Sequence, residues 1–340
     1  MITTVYRLVS PKRVEEFYLE EDIRDRVVVR PVRMSICSAD QRYYQGNRVV
    51  SVLNDKLPMA LVHECVGEVV YSDVDGFFVG DKVVLIPICP VERDDFVCEN
   101  YLESSVFCSS GVDGFMRDYV VLSGDRLLKI PDGVNLDVFS FVELVSVSFQ
   151  AIQRFLNFYD GRCDVIGVWG DGNLGYITSL LLKTMLPESE VLVFGVNDDK
   201  LELFSFVDGV YKVNEVPDDL RVDCGFEAVG GSGSQDAINQ FIDLVNPMGI
   251  LSILGVSEYP IPINTRKILE KGLIIFGTTR SSREDFIGTI NLIKENPQIV
   301  NHLENIINKK ITIKQTQDII KAFDEDFNSN FGKTILNWKI

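Results

Sequence analysis

Long apolar runs are missing from this sequence. No stretch of about 18 consecutive apolar residues occurs, so no segment reads as a membrane-spanning helix. Met1 to Phe17 is mixed and charged, without the short apolar core of a signal peptide. Positive charge is also short: 33 Lys and Arg stand against 50 Asp and Glu, a net charge of −17. A nucleic-acid footprint needs a basic face, so that class is excluded. Anionic small molecules are repelled at long range, and a phosphorylated ligand would need local basic residues or helix N-termini. Cysteine lacks the even count and regular spacing of a disulfide framework. The seven (Cys37, Cys65, Cys89, Cys98, Cys108, Cys163 and Cys224) favour reduced thiols in a cytoplasmic protein. No internal repeat or low-complexity tract stands out. Histidine is down to two, His63 and His302, so any imidazole ligand is one of these.

What is present fits an ordinary globular composition, 46% hydrophobic and 24% charged. The 340 residues are enough for two domains, each with its own core. The first 140 or so carry short β-branched runs broken by turn residues. Val27–Val32, Gly67–Tyr71, Lys82–Pro87 and Met116–Leu122 are predicted strands. Near Phe139 the pattern changes. Predicted helices at Leu144–Phe155, Tyr176–Met185, Lys200–Phe206 and Ser234–Leu244 alternate with strands at Asp164–Trp169, Glu190–Phe194, Val222–Phe226, Gly249–Leu254 and Leu273–Phe276. That alternation predicts a doubly wound parallel sheet. Helices at Phe286–Glu295 and Thr316–Phe323 and a strand at Lys333–Trp338 come after it. We expect an α/β protein: a β-rich catalytic domain over 1–143, a dinucleotide-binding domain over 144–281, and a return to the first domain over 282–340.

Gly170-Asp171-Gly172-Asn173-Leu174-Gly175 matches G-x-G-x-x-G between a strand and a helix, the context the motif needs. Gly170 permits the tight turn, Gly172 lets the backbone approach a pyrophosphate, and Gly175 lets helix and strand pack closely. The helix start at Asn173 and Leu174 offers a positive dipole end to the phosphates. An NAD-specific fold usually carries an acid at the end of the second strand. Here that position is Gly195, which shifts the expectation to NADPH, with Lys200 the nearest base behind Asp198 and Asp199.

Cys37, His63 and Glu143 supply a thiolate, an imidazole and a carboxylate, a set suited to Zn²⁺. Three protein ligands leave a coordination position open, as a catalytic zinc requires. Glu64 could ligate directly or exchange with water. Each residue also has a plainer reading, as a buried thiol or a helix-start acid.

These motifs stand in the order found in the medium-chain alcohol and polyol dehydrogenases. His63-Glu64-Cys65-Val66-Gly67-Glu68-Val69 resembles their H-E-x-x-G-x-V signature, with Val62 where a glycine usually precedes the histidine. Asp113–Val120 looks like their D-G-x-F-A-E-Y-V segment, Glu143–Val147 like the E-P-L-A-V of the polyol branch, and Gly225–Gly230 like D-x-x-F-E-x-x-G. Met34–Gly46, Trp169–Tyr176, Phe204–Asp208 and Gly332-Lys333-Thr334 are further similar to the ribulose-5-phosphate reductases that make ribitol 5-phosphate for teichoic-acid and capsule synthesis.

The resemblance implies a GroES-like catalytic domain beside a Rossmann domain. It also implies one catalytic zinc held by Cys37, His63 and Glu143 with Glu64 in reserve, and reduction of a sugar ketone by NADPH. Asp40 would orient a ligand from behind. The family's proton-relay hydroxyl falls on Ala39, so Ser38, a water or Tyr43 must serve. Cys89, Cys98 and Cys108 are too few for a closed four-cysteine site, so no structural zinc is expected. The substrate phosphate needs a cation, for which Arg42 with Tyr43, Arg280 and Arg283 are candidates. A homodimer and a cytidylyltransferase partner are further expectations. Three alternatives stay open: an NAD-dependent polyol dehydrogenase, a zinc-free quinone or enone reductase, and a binding protein that keeps only the fold.

Overall fold

The computed structural model describes residues 1–158, 163–329 and 331–340. These form two compact units, Met1–Leu144 with Arg280–Ile340, and Val145–Thr279.

The first unit is β-rich. One sheet has three strands in the order Arg13–Glu20, Ile2–Ser10, Met59–Ala60. A second has seven, in the order Leu127–Lys129, Lys82–Leu85, Glu64–Ser72, Val27–Ser35, Lys333–Trp338, Ile307–Ile313, with Val120–Leu122 also paired to Val27–Ser35. Val27, Val28 and Val29 are all buried, as β-branched residues at the centre of a sheet should be. Pro31 sits inside this strand without an N–H to give. The ladder with Glu64–Ser72 shifts register between Pro31 and Arg33, the bulge that lets a proline stay in a strand.

The expected strand Met116–Leu122 is shorter, Val120–Leu122. The residues before it brace another segment instead. Gly114 N–H donates to the Ala60 carbonyl at 2.7 Å and Phe115 N–H to that of Val62 at 2.7 Å. A side chain at Gly114 would strike the carbonyls of Leu61 and Val62. The D-G segment thus holds in place the three residues that lead into His63. The hairpin Ile2–Ser10 and Arg13–Glu20 is not legible in the sequence, because the adjacent Glu15 and Glu16 put a charge on each face of the second strand and hide the alternation.

The second unit holds six parallel strands in the order Gly209–Lys212, Glu190–Gly195, Val165–Trp169, Val222–Glu227, Val245–Ile253, Ile274–Gly277. This is the doubly wound sheet the alternation predicts, with the order reversing at Val165–Trp169. Trp169 stacks on Phe194 at 4.3 Å between centroids, meets Phe241 edge-on at 5.6 Å, and donates its indole N–H to Gln240. Side chains at Gly167 and Gly225 would collide with these rings, so glycine at both positions makes room for the tryptophan. The stretch Lys200–Phe206 is not one helix. Helix ends at Leu201, and Phe204 and Phe206 instead clasp Tyr176 at 5.2 and 5.0 Å. The apolar spacing reflects that packing. Cys163 and Cys224 are joined as a disulfide with Cα atoms 5.9 Å apart, which corrects the expectation that all seven cysteines are reduced. Cys224 lies on the strand next to the one Cys163 leads into.

Candidate metal centre and dinucleotide loop

The strand Val27–Ser35 ends two residues before Cys37, which caps the helix Ser38–Tyr44. The Cys37 N–H donates to Asp40 Oδ2 at 3.1 Å, closing a capping box. The other carboxylate oxygen of Asp40 is the hub of the pocket. It accepts from Ser109 Oγ at 2.5 Å and the Val62 N–H at 3.0 Å, and lies 3.5 Å from His63 Nδ1. Val62 holds a left-handed φ of 69°. That is why the related signatures carry glycine there; a β-branched residue in this conformation is strained. The valine side chain is fully buried.

Ligand-type atoms of Cys37, His63 and Glu64 all lie within 4.8 Å of one another. Glu143, in the first turn of the helix Val142–Leu156, brings Oε2 to 4.0 Å from His63 Nε2, the ring nitrogen facing away from Asp40. Glu64 is already engaged. Lys333 Nζ is 2.9 Å from Oε1, 2.8 Å from Oε2 and 2.9 Å from the Ile36 carbonyl, and both side chains are buried. Sequence reasoning finds Lys333 only as part of a matched segment and assigns it no role. No local signal marks it, because its partner Glu64 lies 269 positions away in the chain.

The electrostatics are those of a cation pocket. Burial alone would raise Asp40, but His63, Ser109 and the Cys37 N–H hold it below the usual carboxylate range. Burial alone would lower His63, yet Asp40 and Cys37 lift it well above an ordinary imidazole. Burial pushes Glu143 up to about 7. One thiol and three carboxyl groups thus surround one imidazole and one ammonium, a set that retains a proton for want of another positive charge. Sulfur, nitrogen and oxygen donors with a carboxylate behind the imidazole fit Zn²⁺.

Ser38 is exposed at the start of its helix, with no hydrogen bond to the cluster among the described residues. Of the phosphate candidates, Arg42 is in the last turn of that helix and Tyr43 is buried beneath the Arg48 guanidinium at 4.7 Å. Arg283 is tied down: its N–H donates to Glu99 at 2.8 Å and its Nη1 to the Leu127 carbonyl at 3.3 Å. Arg280 is half-buried and lies over the Phe107 ring at 5.1 Å.

In the second unit the glycine loop has the form its spacing suggests. Gly170 has a φ of 131°, and a side chain there would press on the Ala228 carbonyl. Gly172 caps the helix Asn173–Met185 and faces open space, leaving the backbone approachable; Leu174 sits in its first turn. A Cβ at Gly175 would enter the Gly170 carbonyl oxygen. Gly175→Ala is therefore expected to cost about 1–3 kcal/mol of stability and to weaken dinucleotide binding at least ~10-fold. Thermal melting and a titration followed by cofactor fluorescence check this; unchanged affinity would refute it.

Gly195 has a reason the sequence did not show. A side chain there would strike Asp171, whose Oδ2 accepts the N–H groups of Val196 at 2.8 Å and Asn197 at 2.9 Å. A carboxylate does stand beside Gly195, then, but it comes from the loop and is engaged by the backbone. Lys200 lies in the short helix Asp198–Leu201, its N–H bonded to the Asn197 side chain at 3.1 Å. Glu227 is a further buried acid, accepting from the N–H groups of Val229, Gly230 and Gly255 and from Ser234 Oγ.

Comparison with known proteins adds to this geometry. The alcohol dehydrogenase GroES-like domain family matches residues 24–132. Ribulose-5-phosphate reductase 1 of Staphylococcus aureus (strain NCTC 8325 / PS 47) is 49% identical over 339 residues, 99% of this chain and 99% of that protein. Ribulose-5-phosphate reductase of Bacillus spizizenii (strain ATCC 23059 / NRRL B-14472 / W23) is 46% identical over 341 residues, 100% of both. The crystal structure of S. aureus TarJ in complex with NADPH superposes with a TM-score of 0.90 at 44% identity, covering 100% of each chain.

Proposed function

Since the chain belongs to the ribulose-5-phosphate reductases, medium-chain dehydrogenases with a GroES-like domain, we propose that it reduces D-ribulose 5-phosphate to D-ribitol 5-phosphate with NADPH at a zinc site. The observation that carries this reading is the buried cluster of Cys37, His63 and Glu64 with Glu143 beside it.

Cys37, His63 Nε2 and Glu143 would hold the zinc. When bound, the metal supplies Lewis acidity to a ketone oxygen and the reduced nicotinamide supplies hydride. Asp40 faces His63 Nδ1 and so fixes which ring nitrogen is offered to a cation. Lys333 holds the Glu64 carboxylate turned toward itself, leaving it as a reserve ligand. Gly170, Gly172 and Gly175, at the start of the helix Asn173–Met185, would hold the pyrophosphate. Gly195 and Lys200 would border the adenosine ribose, and the NADPH bound by a relative 44% identical favours NADPH over NADH. One hydride and one proton convert the ketone to the alcohol. Ala39 has no exchangeable proton, so the proton comes by Ser38 Oγ or solvent.

Purified protein mixed with NADPH and D-ribulose 5-phosphate is expected to consume the reduced cofactor, and to stop when a zinc chelator is added. No turnover by protein carrying zinc would overturn the substrate. Turnover of free polyols with NAD would favour the polyol dehydrogenase reading. Through the resemblance, the reading includes a cytoplasmic homodimer working beside a cytidylyltransferase that forms CDP-ribitol for teichoic acid or capsule. Light scattering of the protein, alone and mixed with such an enzyme, tests both associations. No helix among the described residues is long and apolar enough to cross a membrane.

A further inference from the structure

We propose that Arg280 is the specificity-determining residue that receives the phosphate of the substrate, a role that rests on the sugar-phosphate reading above. Four other well-covered arginines of the first unit have carboxylate partners: Arg7 with Asp113, Arg33 with Asp137, Arg117 with Glu21, Arg126 with Glu99. Arg280 is half-buried and has none among the described residues. Burial is the one influence that acts on its acidity, and it disfavours the charge. An unpaired, partly desolvated guanidinium costs free energy, and a bidentate phosphate offsets that cost better than water does.

Position gives the site its ligand. The Arg280 guanidinium lies over Phe107 at 5.1 Å, and Phe107 packs on His63 at 5.3 Å. One aromatic ring thus separates the cation from the imidazole of the metal cluster. A ketose 5-phosphate has a short carbon chain between its carbonyl and its phosphate. A ligand with the carbonyl at the cluster can lay its phosphate on Arg280 across the face of Phe107.

The backbone adds an independent observation. Arg280 has a φ of 57°, a left-handed conformation that a long side chain adopts at a cost of about 1–3 kcal/mol. The next two residues and the helix they open hold it there. Ser281 and Ser282 are buried, and Ser282 caps the helix Arg283–Glu295 in a reciprocal box with Asp285. Glycine would satisfy that backbone without strain. An arginine kept there is in use for its side chain.

The test compares wild type with Arg280→Gly, Arg280→Ala and Arg280→Lys. Arg280→Gly removes the guanidinium while suiting the backbone, so it folds even if Arg280→Ala does not. For the glycine variant KM for D-ribulose 5-phosphate is expected to rise ~10–100-fold, the loss of charge-assisted hydrogen bonds to phosphate. Its kcat/KM for unphosphorylated D-ribulose stays within about 2-fold, and Arg280→Lys falls between. Competitive inhibition by inorganic phosphate should weaken in parallel. Equal losses on both substrates, or undiminished phosphate inhibition, would overturn the assignment. If wild type fails to turn over D-ribulose 5-phosphate, the functional reading fails instead. Arg280 is then judged by ³¹P titration of inorganic phosphate into wild type and Arg280→Gly, where equal affinity sinks it.

Discussion

His63→Ala is expected to release the bound zinc and to lower kcat/KM by ~10³-fold or more. A Lewis-acid metal contributes several kcal/mol to the stabilisation of developing charge, and each 1.36 kcal/mol is about a factor of ten. The effect is this large because the pocket has one imidazole. The other histidine, His302, lies on the helix Gln298–Asn305, and His302→Ala should leave metal content and rate unchanged. Without the His63 ring, Asp40 keeps its hydrogen bonds from Ser109 and Val62, so the fold should survive and the loss be specific to the site. Elemental analysis beside steady-state rates decides. Full turnover with the metal gone would favour the zinc-free enone reductase alternative. Glu143, raised to about 7 by burial, makes the site pH-dependent. A carboxyl group must be deprotonated to ligate, so zinc affinity should fall as pH drops through about 7 and rise as pH climbs through it.

Lys333→Met is expected to destabilise the first unit by about 3–5 kcal/mol, the usual result of removing one partner of a buried ion pair. Lys333 and Glu64 are only 2% and 0% exposed, so water cannot make up for the missing ammonium. The Ile36 carbonyl also loses its donor. The pair itself need not be stabilising, because removing both charges together can be nearly neutral. Adding Glu64→Gln to Lys333→Met should therefore recover more than half of the loss. Urea titrations of the two single variants and the double measure the coupling. A single-variant loss under about 1 kcal/mol would mean that the pocket relaxes around the unpaired carboxylate and the ion pair does not hold the unit together.

How far the sequence could be read depended on how local each signal is. The Gly170–Gly175 loop was legible in full because turn, approach and packing are requirements within six consecutive residues. The doubly wound sheet was legible because alternation is a short-range pattern. The cysteine, histidine and carboxylates of the cluster could be gathered because the resemblance supplied their order. Lys333 stayed hidden, since it meets Glu64 across 269 positions and no local pattern marks a lysine as buried. Gly195 was read for the carboxylate it lacks, while the structure shows Asp171 filling that space from 24 positions upstream in the chain. Among the four phosphate candidates, composition could not separate Arg280 from Arg283. The Leu127 carbonyl that engages the Arg283 guanidinium, and the left-handed backbone of Arg280, do. Val62 shows the limit of motif matching: its residue type departs from the signature while its backbone keeps the glycine conformation.

The strand Lys333–Trp338 lies between Val27–Ser35 and Ile307–Ile313 in the larger sheet of the first unit. This fixes an order of events during synthesis. The ribosome delivers Cys37, His63 and Glu64 early, then the whole dinucleotide-binding unit, whose strands can pair among themselves at once. The early β-segments wait with Val27–Ser35 as an open sheet edge and a glutamate whose counter-ion has not yet been made. Only when residues 333–338 leave the exit tunnel can that edge be covered and Glu64 meet its ammonium. The nascent chain therefore carries a finished cofactor unit and a half-made metal pocket, exposed to chaperones and proteases for as long as residues 280–340 take to translate.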